Sequence, residues 1–140
     1  FRRVLFRSHN PDSVRHLAAL VARWPAKRRV LLIGQAGDRD DDLMRSLVQA
    51  AWSMRPDRVF IKDVLHYLRG REPGEVPALL SRLFTEAGCP ADALHLPGDE
   101  LQGIRAALAD VAAGDVAVLL VHDDFAAAVA ELERAGARPA

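Results

Sequence analysis

The stretch Gly114-Asp115-Val116-Ala117-Val118-Leu119-Leu120-Val121 decides the fold of this chain. A Gly-Asp turn signal precedes an unbroken apolar run that is mostly β-branched or leucine. A half-buried strand would alternate apolar and polar residues, whereas a continuous apolar run is typical of a strand that is covered on both faces. The run therefore predicts an interior strand of a sheet with helices on both sides.

The residues before and after this run repeat a pattern of short strand and amphipathic helix. Three more strands are predicted at Arg29–Ile33, Val59–Ile61 and Leu94–Leu96. Apolar residues at helical spacing predict five helices, which begin at Pro11, near Leu43, at Pro73, at Asp99 and near Phe125. The alternation predicts an α/β fold, a Rossmann-like three-layer domain with a mostly parallel sheet of about five or six strands and helices on both faces.

Composition narrows the class of protein. The chain has 140 residues, half of them apolar, and a formal net charge of zero, so it offers no overall basic field for nucleic acid or anionic lipid. A single cysteine, Cys89, excludes an internal disulfide. No apolar run reaches the roughly 18 residues that a membrane-spanning helix needs. We expect a cytoplasmic protein with neither nucleic acid nor membrane among its partners.

The loops that follow the strands are the places to search for ligands, because open α/β sheets bind them at the carboxyl ends of their strands. The loop after Ile33 begins Gly34-Gln-Ala-Gly37, which lacks the G-x-G-x-x-G spacing of a dinucleotide site. No Gly-Lys pair occurs anywhere in the chain, so a phosphate-binding P-loop is excluded. A tight turn followed by an acidic helix start also explains this loop.

Two further loops carry charged residues with alternative explanations. Arg69 and Arg71 flank Gly70 after the second predicted strand and could bind a carboxylate or phosphate with two parallel hydrogen bonds, or could simply be solvated. In the same loop, Asp63 and Glu72 could receive a cationic side chain. The segment His122-Asp-Asp124 could bind a metal, but an acidic helix N-terminus explains it better.

Several short motifs, taken in order, resemble the C-terminal domain of Mur ligases and folylpolyglutamate synthetases. These motifs are His9-Asn-Pro-Asp-Ser-Val-Arg15, Gly37-Asp-Arg39, Arg105-Ala-Ala-Leu108 and Ala113-Gly-Asp115. The resemblance covers the chain from residue 9 onward. Within that superfamily the chain is most similar to cyanophycin synthetase, through Gly37-Asp-Arg-Asp-Asp-Asp42 and Leu68-Arg-Gly-Arg-Glu-Pro-Gly-Glu75.

The resemblance implies an ATP-dependent ligase that joins a carboxylate to an amine through an acyl phosphate. In such enzymes a central domain holds ATP and magnesium, and the C-terminal domain closes over the nucleotide and helps to place the incoming amino acid. For a cyanophycin-type enzyme that amino acid is arginine, which is joined to an acidic polymer. The implied partners are the central ATPase domain of a parent chain, the amino acid and the polymer, and the parent could form homo-oligomers.

The resemblance also assigns site residues by position, with no catalytic residue and no metal ligand in this domain. The nucleotide-facing residues are His9, Asn10 and Asp12, and the substrate-binding residues are Asp38, Arg39, Arg69 and Arg71. Two departures argue against a peptidoglycan substrate. Lys62-Asp-Val-Leu65 replaces the Asp-Asn-Pro-Arg of ligases that add diaminopimelate or lysine, and Val121-His-Asp-Asp124 replaces their Lys-Gly-His-Glu.

The first eight residues match no element of the family. Phe1-Arg-Arg-Val-Leu-Phe-Arg-Ser8 lacks the acid and the tyrosine that precede the histidine in relatives. We therefore expect residues 1–8 to be a non-native leader that folding does not require, and residues 9–140 to form the domain.

Two alternative functions stay open. One is another amino-acid-adding ligase of the Mur or folylpolyglutamate type, and the other is a stand-alone, non-catalytic α/β module that binds an anion or a protein.

The purified chain should neither hydrolyse ATP nor form amide bonds, because phosphoryl transfer depends on groups that cradle and neutralise the phosphates. The measurement is ADP release in the presence of magnesium and a panel of amino acids. Amino-acid-dependent ADP release that co-purifies with the chain through successive columns would contradict the prediction.

Overall fold

The strand β5, Val116–Leu120, lies inside a parallel sheet and is buried along its whole length. The computed structural model describes residues 1–139. The other strands are β1 Arg2–Phe6, β2 Arg29–Ile33, β3 Arg58–Lys62, β4 Leu94–Gly98 and the two-residue β6 Arg138–Pro139. Their order in the sheet is β4-β3-β2-β5-β1-β6, and every pairing is parallel. All the strands therefore end at the same edge of the sheet.

Helices cover both faces of the sheet, as predicted. They are α1 Pro11–Ala22, α2 Asp41–Trp52, α3 Glu75–Glu86, α4 Glu100–Asp110 and α5 Phe125–Arg134, with 3₁₀ turns at Leu65–Tyr67 and Ala91–Ala93. One core packs α1, α2 and α3 against the sheet, and a second core packs α4 and α5 against the opposite face. Neighbouring residues on a strand enter different cores, as Leu31 and Leu32 of β2 do.

Side-chain caps define where most of the helices begin. Asn10, Asp40, Asp99 and Asp124 each accept a backbone N–H of the first turn of the helix that follows. The helix expected from Pro73 begins two residues later, at Glu75, because Gly74 takes a left-handed conformation with φ of 84°.

No helix within residues 1–139 combines the length and apolar character that a bilayer crossing requires.

Most of the segment that was expected to be a leader dispensable for folding forms a strand of the sheet. Arg2–Phe6 pairs with β5 over five residues and places Val4 and Phe6 against the larger core. The strand lies between β5 and β6, so its removal would uncover one edge of β5. That the segment is non-native stays a prediction. Ala140, the last residue of the expected domain, lies outside the described residues.

Deletion of residues 1–7 should therefore lower the free energy of unfolding by at least about 3 kcal/mol, since it removes a paired strand and four partly buried apolar side chains. Urea unfolding followed by circular dichroism measures the change. The control, Arg2→Thr/Arg3→Thr, keeps a strand-forming sequence and should stay within about 1 kcal/mol of the unmodified chain. An unchanged unfolding midpoint after the deletion would show that residues 1–7 are dispensable for folding.

Candidate functional site at the carboxyl edge of the sheet

A cavity of about 520 Å³ opens at the edge where the strands end. The loops after β1, β2, β3 and β5 all contribute to its wall. The lining side chains are Arg7, His9, Asn10, Gln35, Ala36, Asp38, Arg39, Leu43, Tyr67, Arg69, Val121 and His122. The volume is within the range of small-molecule sites. The parallel sheet thus brings together four loops that are distant in sequence.

Five of the seven residues predicted for the site line this cavity: His9, Asn10, Asp38, Arg39 and Arg69. They come from three different loops, which meet at this cavity. It does not test the roles that the resemblance assigns to them.

Asp12 and Arg71 do not line the cavity. The Asp12 side chain is 86% exposed in the first turn of α1 and accepts a hydrogen bond from Arg15, with an Nη1–Oδ1 distance of 2.6 Å. Arg71 is 19% exposed, and its guanidinium pairs with Asp41 at 2.9 Å and with Glu75 at 3.4 Å. Both arginines of this loop were candidates for substrate binding, and only Arg69 faces the cavity.

Arg71 instead holds the loop that contains Asp38 and Arg39. Its Nε donates to the Gly37 carbonyl at 3.0 Å, and its Nη2 donates to the Arg39 carbonyl at 3.0 Å. Gly37 also donates its N–H to the Tyr67 carbonyl at 2.8 Å. A Cβ at Gly37 would lie 1.8 Å from the Leu68 carbonyl oxygen, so only glycine allows the two loops to approach this closely.

Arg69 is held at the cavity by its backbone and by an aromatic neighbour. Its φ is 50°, a conformation that residues other than glycine seldom adopt, and Gly70 continues in the left-handed region. The guanidinium carbon lies 5.5 Å from the centroid of the Tyr67 ring, which is a cation–π distance. An exposed arginine placed in this way can form a bidentate contact with a ligand carboxylate or phosphate.

Two stacked imidazole rings form another part of the wall. The rings of His9 and His122 lie 3.4 Å apart at 13°, and Nε2 of His9 donates to the Val121 carbonyl at 3.0 Å. Gln35 donates to the His9 carbonyl at 2.9 Å and so fixes the backbone beneath the stack. Burial, reinforced by the charge of Lys62, lowers the pKa of His9 to about 4 and that of His122 to about 2. Both rings are therefore neutral at pH 7.

A buried ion pair below the cavity escaped the sequence analysis. Lys62 is fully buried and donates to Glu100, which is 5% exposed. Burial lowers the pKa of Lys62, whereas the charge of Glu100 opposes that shift. Burial alone would raise the pKa of Glu100, but Lys62 and two backbone N–H groups bring it below its ordinary value. The available sequence signal was a lysine at the end of an otherwise apolar strand, Val59-Phe-Ile-Lys62.

The remaining acidic residues of the loops have structural partners. Asp63 is 7% exposed and accepts the Gly74 N–H at 2.6 Å, so the expectation that it could receive a cationic ligand is wrong. Asp124 accepts the Ala127 N–H at 2.9 Å, which supports the interpretation of His122-Asp-Asp124 as an acidic helix start. Throughout residues 1–139, no group of three His, Cys, Asp or Glu residues is arranged to hold a metal ion.

Comparison with known proteins finds a sequence match and similar folds among Mur ligases. No protein-family model matches the chain. A curated relative, the UDP-N-acetylmuramoyl-L-alanyl-D-glutamate–2,6-diaminopimelate ligase of Caldanaerobacter subterraneus subsp. tengcongensis, is 25% identical over 112 residues, which are 80% of this chain and 22% of that protein. The chain thus spans less than a quarter of this relative.

Solved structures agree with this comparison. A UDP-N-acetylmuramoyl-L-alanyl-D-glutamate–2,6-diaminopimelate ligase superposes with a TM-score of 0.75 at 18% identity, over 97% of this chain and 30% of that chain. A murein peptide ligase from Psychrobacter arcticus 273-4 gives 0.66 at 18% identity, over 95% and 27%. A separately solved domain, attributed to a UDP-N-acetylmuramate:L-alanyl-γ-D-glutamyl-meso-diaminopimelate ligase of Haemophilus ducreyi 35000HP, gives 0.55 at 16% identity, over 95% and 89%. The chain is thus similar in sequence to part of one Mur ligase and similar in fold to parts of larger ligases.

The histidine stack predicts how stability depends on pH. Both folded-state pKa values lie below the ordinary 6.5, so the unfolded chain takes up protons first as the pH falls. The free energy of unfolding should be level above about pH 6.5 and fall below it, by at most about 1.4 kcal/mol per pH unit for each histidine. Urea unfolding at several pH values between 7.5 and 5 measures this slope.

Two variants show how much of this pH dependence of stability comes from the histidine stack. His122→Gln should reduce the slope by about half, because one of the two displaced titrations is removed. His16→Gln, at an exposed position on α1 outside the stack, is the control. A free energy of unfolding that stays constant from pH 7 to pH 5 in the unmodified chain would show that neither ring is held neutral by the fold.

Proposed function

We propose that this chain is the C-terminal domain of an ATP-dependent carboxylate–amine ligase, that it closes over nucleotide and substrate, and that it is inactive alone. The observation that carries the proposal is the shared cavity, in which the His-Asn-Pro-Asp and Gly-Asp-Arg motifs meet Arg69 at one edge of the sheet. The chain spans 22–30% of the larger relatives and solved structures, which supports a parent with a central domain.

The charges around the cavity favour an amino acid as the ligand. Arg39 and Arg69 place two cationic groups at the cavity, where they can pair with an α-carboxylate. Asp38 lies on the same cavity and can pair with an ammonium or guanidinium group. A zwitterion with a cationic side chain satisfies all three residues, and arginine, the substrate expected for a cyanophycin-type enzyme, has this chemistry.

A different amino acid is the second candidate. The curated relative and one of the solved structures are named as diaminopimelate ligases, and diaminopimelate also carries a carboxylate together with an ammonium group. The missing Asp-Asn-Pro-Arg element, where this chain has Lys62-Asp-Val-Leu65, weighs against that substrate. A direct comparison of arginine and diaminopimelate as substrates therefore decides between the two candidates.

ATP and magnesium are assigned to the central domain of the parent chain. The residues of this chain at the cavity are mostly cationic, aromatic or amide side chains, which suit anions and flat rings better than Mg²⁺. When bound, the nucleotide would activate the carboxylate as an acyl phosphate. The contribution of this chain is to orient the incoming amine, with His9 and Asn10 on the nucleotide-facing side.

The Arg69→Lys variant of the parent enzyme tests the proposal, because it keeps the charge and removes the planar fork. We expect the Michaelis constant for the amino acid to rise roughly ten- to hundredfold, which corresponds to the loss of about 1.5–3 kcal/mol from a charge-assisted contact. The Michaelis constant for ATP should not change. Steady-state kinetics with arginine and with diaminopimelate measure both constants and rank the two substrates.

Two further variants serve as comparisons. Arg71→Lys should loosen the Gly37–Arg39 backbone and lower the melting temperature, with a smaller effect on amino-acid binding, since Arg71 does not line the cavity. Arg82→Lys, at a 66% exposed position on α3, should behave like the unmodified enzyme. If Arg69→Lys also matches the unmodified enzyme, the amino acid binds elsewhere and the proposal for this cavity fails.

A further inference from the structure

Lys62 is fully buried at the end of β3, and two glycines enclose its aliphatic stem. A Cβ at Gly34 would lie 2.8 Å from Cγ of Lys62, and a Cβ at Gly103 would lie 3.3 Å from its Cβ. The second value is tighter than ordinary van der Waals contact, and the first is closer than real Cβ atoms approach. The stem therefore has little freedom, and the fold determines where the ammonium group lies.

The ammonium group joins three elements of the fold. It donates to the Leu120 carbonyl at the end of β5, with an Nζ–O distance of 2.5 Å, and to the carboxylate of Glu100 at the start of α4. Lys62 itself ends β3. Because a buried ammonium needs acceptors on all sides, these contacts bind β3, β5 and α4 together directly beneath the cavity.

Glu100 uses its carboxylate to bind the segment that follows β5. Its two oxygens accept the backbone N–H groups of three consecutive residues: His122 at 2.6 Å, Asp123 at 3.0 Å and Asp124 at 3.2 Å. These donors precede the first turn of α5, where the helix itself offers them no acceptor. A side chain from α4 thus determines the backbone path into α5.

The same segment carries the histidine wall of the cavity. His122 stacks on His9, and neither ring nitrogen of His122 has a hydrogen-bond partner in the described part of the chain. Its position therefore depends on the stacking contact and on its own backbone. Val121, one residue earlier, accepts the hydrogen bond from His9. A shift of this segment would move both histidines.

We infer that Lys62 and Glu100 are positioning residues, and that their buried ion pair holds residues 122–124 so that the His9–His122 stack forms the cavity wall. Burial lowers the pKa of both rings and the charge of Lys62 lowers it further, so two like charges do not meet in the stack. This inference concerns how the cavity is built, and it rests on the proposed function only for what the cavity binds.

The test compares the unmodified chain with Lys62→Met/Glu100→Gln, which removes both charges and keeps the approximate shape of both side chains. Hydrogen exchange followed by NMR should show the amides of residues 122–124 exchanging at least tenfold faster in the double variant. Contacts between the His9 and His122 rings should weaken in the same spectra. Amides in the centre of β2 should keep their protection, which establishes that the variant is folded.

A titration separates positioning from simple structural support. In the single variant Lys62→Met, the NMR titration midpoint of His9 should move upward from about 4 toward 6.5, because a buried positive charge next to the ring is gone. The groups that face His9 and contribute to this titration are Lys62, Glu100 and His122. If Lys62→Met does not fold, the double variant is titrated instead, and a smaller upward shift is expected there because loss of the Glu100 charge removes a contribution that raises the His9 pKa.

The matched control is Glu86→Gln, which breaks the exposed Arg45–Glu86 pair and should leave residues 122–124 and His9 unaffected. The inference is overturned if exchange at residues 122–124 in the double variant stays within twofold of the unmodified chain, or if the His9 midpoint does not move. Arginine binding to the same proteins, measured by calorimetry, is a separate readout. Its absence in the unmodified chain would count against the proposed function and leave the NMR result intact.

Discussion

Burial of β5 between β1 and β2 is the constraint on which the rest of the structure depends. A strand covered on both faces must be apolar throughout, and its parallel neighbours must be joined to it by helices that cross the faces of the sheet. All the strands then end at one edge, which is where the loops with polar and charged residues collect. The cavity is thus a consequence of strand direction, and the side chains in the loops decide what it can bind.

The spacing of apolar residues was sufficient to predict the helices and four of the strands, because each of these elements buries one continuous apolar face or run. It failed at β1. Arg2 and Arg3 hide the apolar character of a strand that is only partly buried and has a two-residue neighbour on its outer side. The start of α3 was also displaced by two residues, since a left-handed Gly74 rather than Pro73 precedes the helix.

The site was predictable at the level of loops and less so at the level of side chains. The loops after the predicted strands placed Asp38 and Arg69 at one edge, and the resemblance assigned His9 to the nucleotide-facing side, but no sequence pattern separates Arg69 from Arg71. That difference arises from backbone conformation: the left-handed Arg69 turns toward Tyr67 and the cavity, whereas Arg71 meets the carbonyls of Gly37 and Arg39. Similarly, Glu100 binds an N-terminus other than that of its own helix, a contact that only the tertiary structure creates.

The buried Lys62–Glu100 ion pair is costly in free energy, and its directional hydrogen bonds explain why it is present. Desolvating an ammonium and a carboxylate costs more than burying two apolar side chains of similar size, so stability alone would favour a hydrophobic replacement. A hydrophobic pair, however, could not accept three backbone N–H groups or bind the Leu120 carbonyl. Lys62 and Glu100 thus provide directional bonds at the point where four loops must meet, and those bonds specify one loop geometry where apolar packing would permit several.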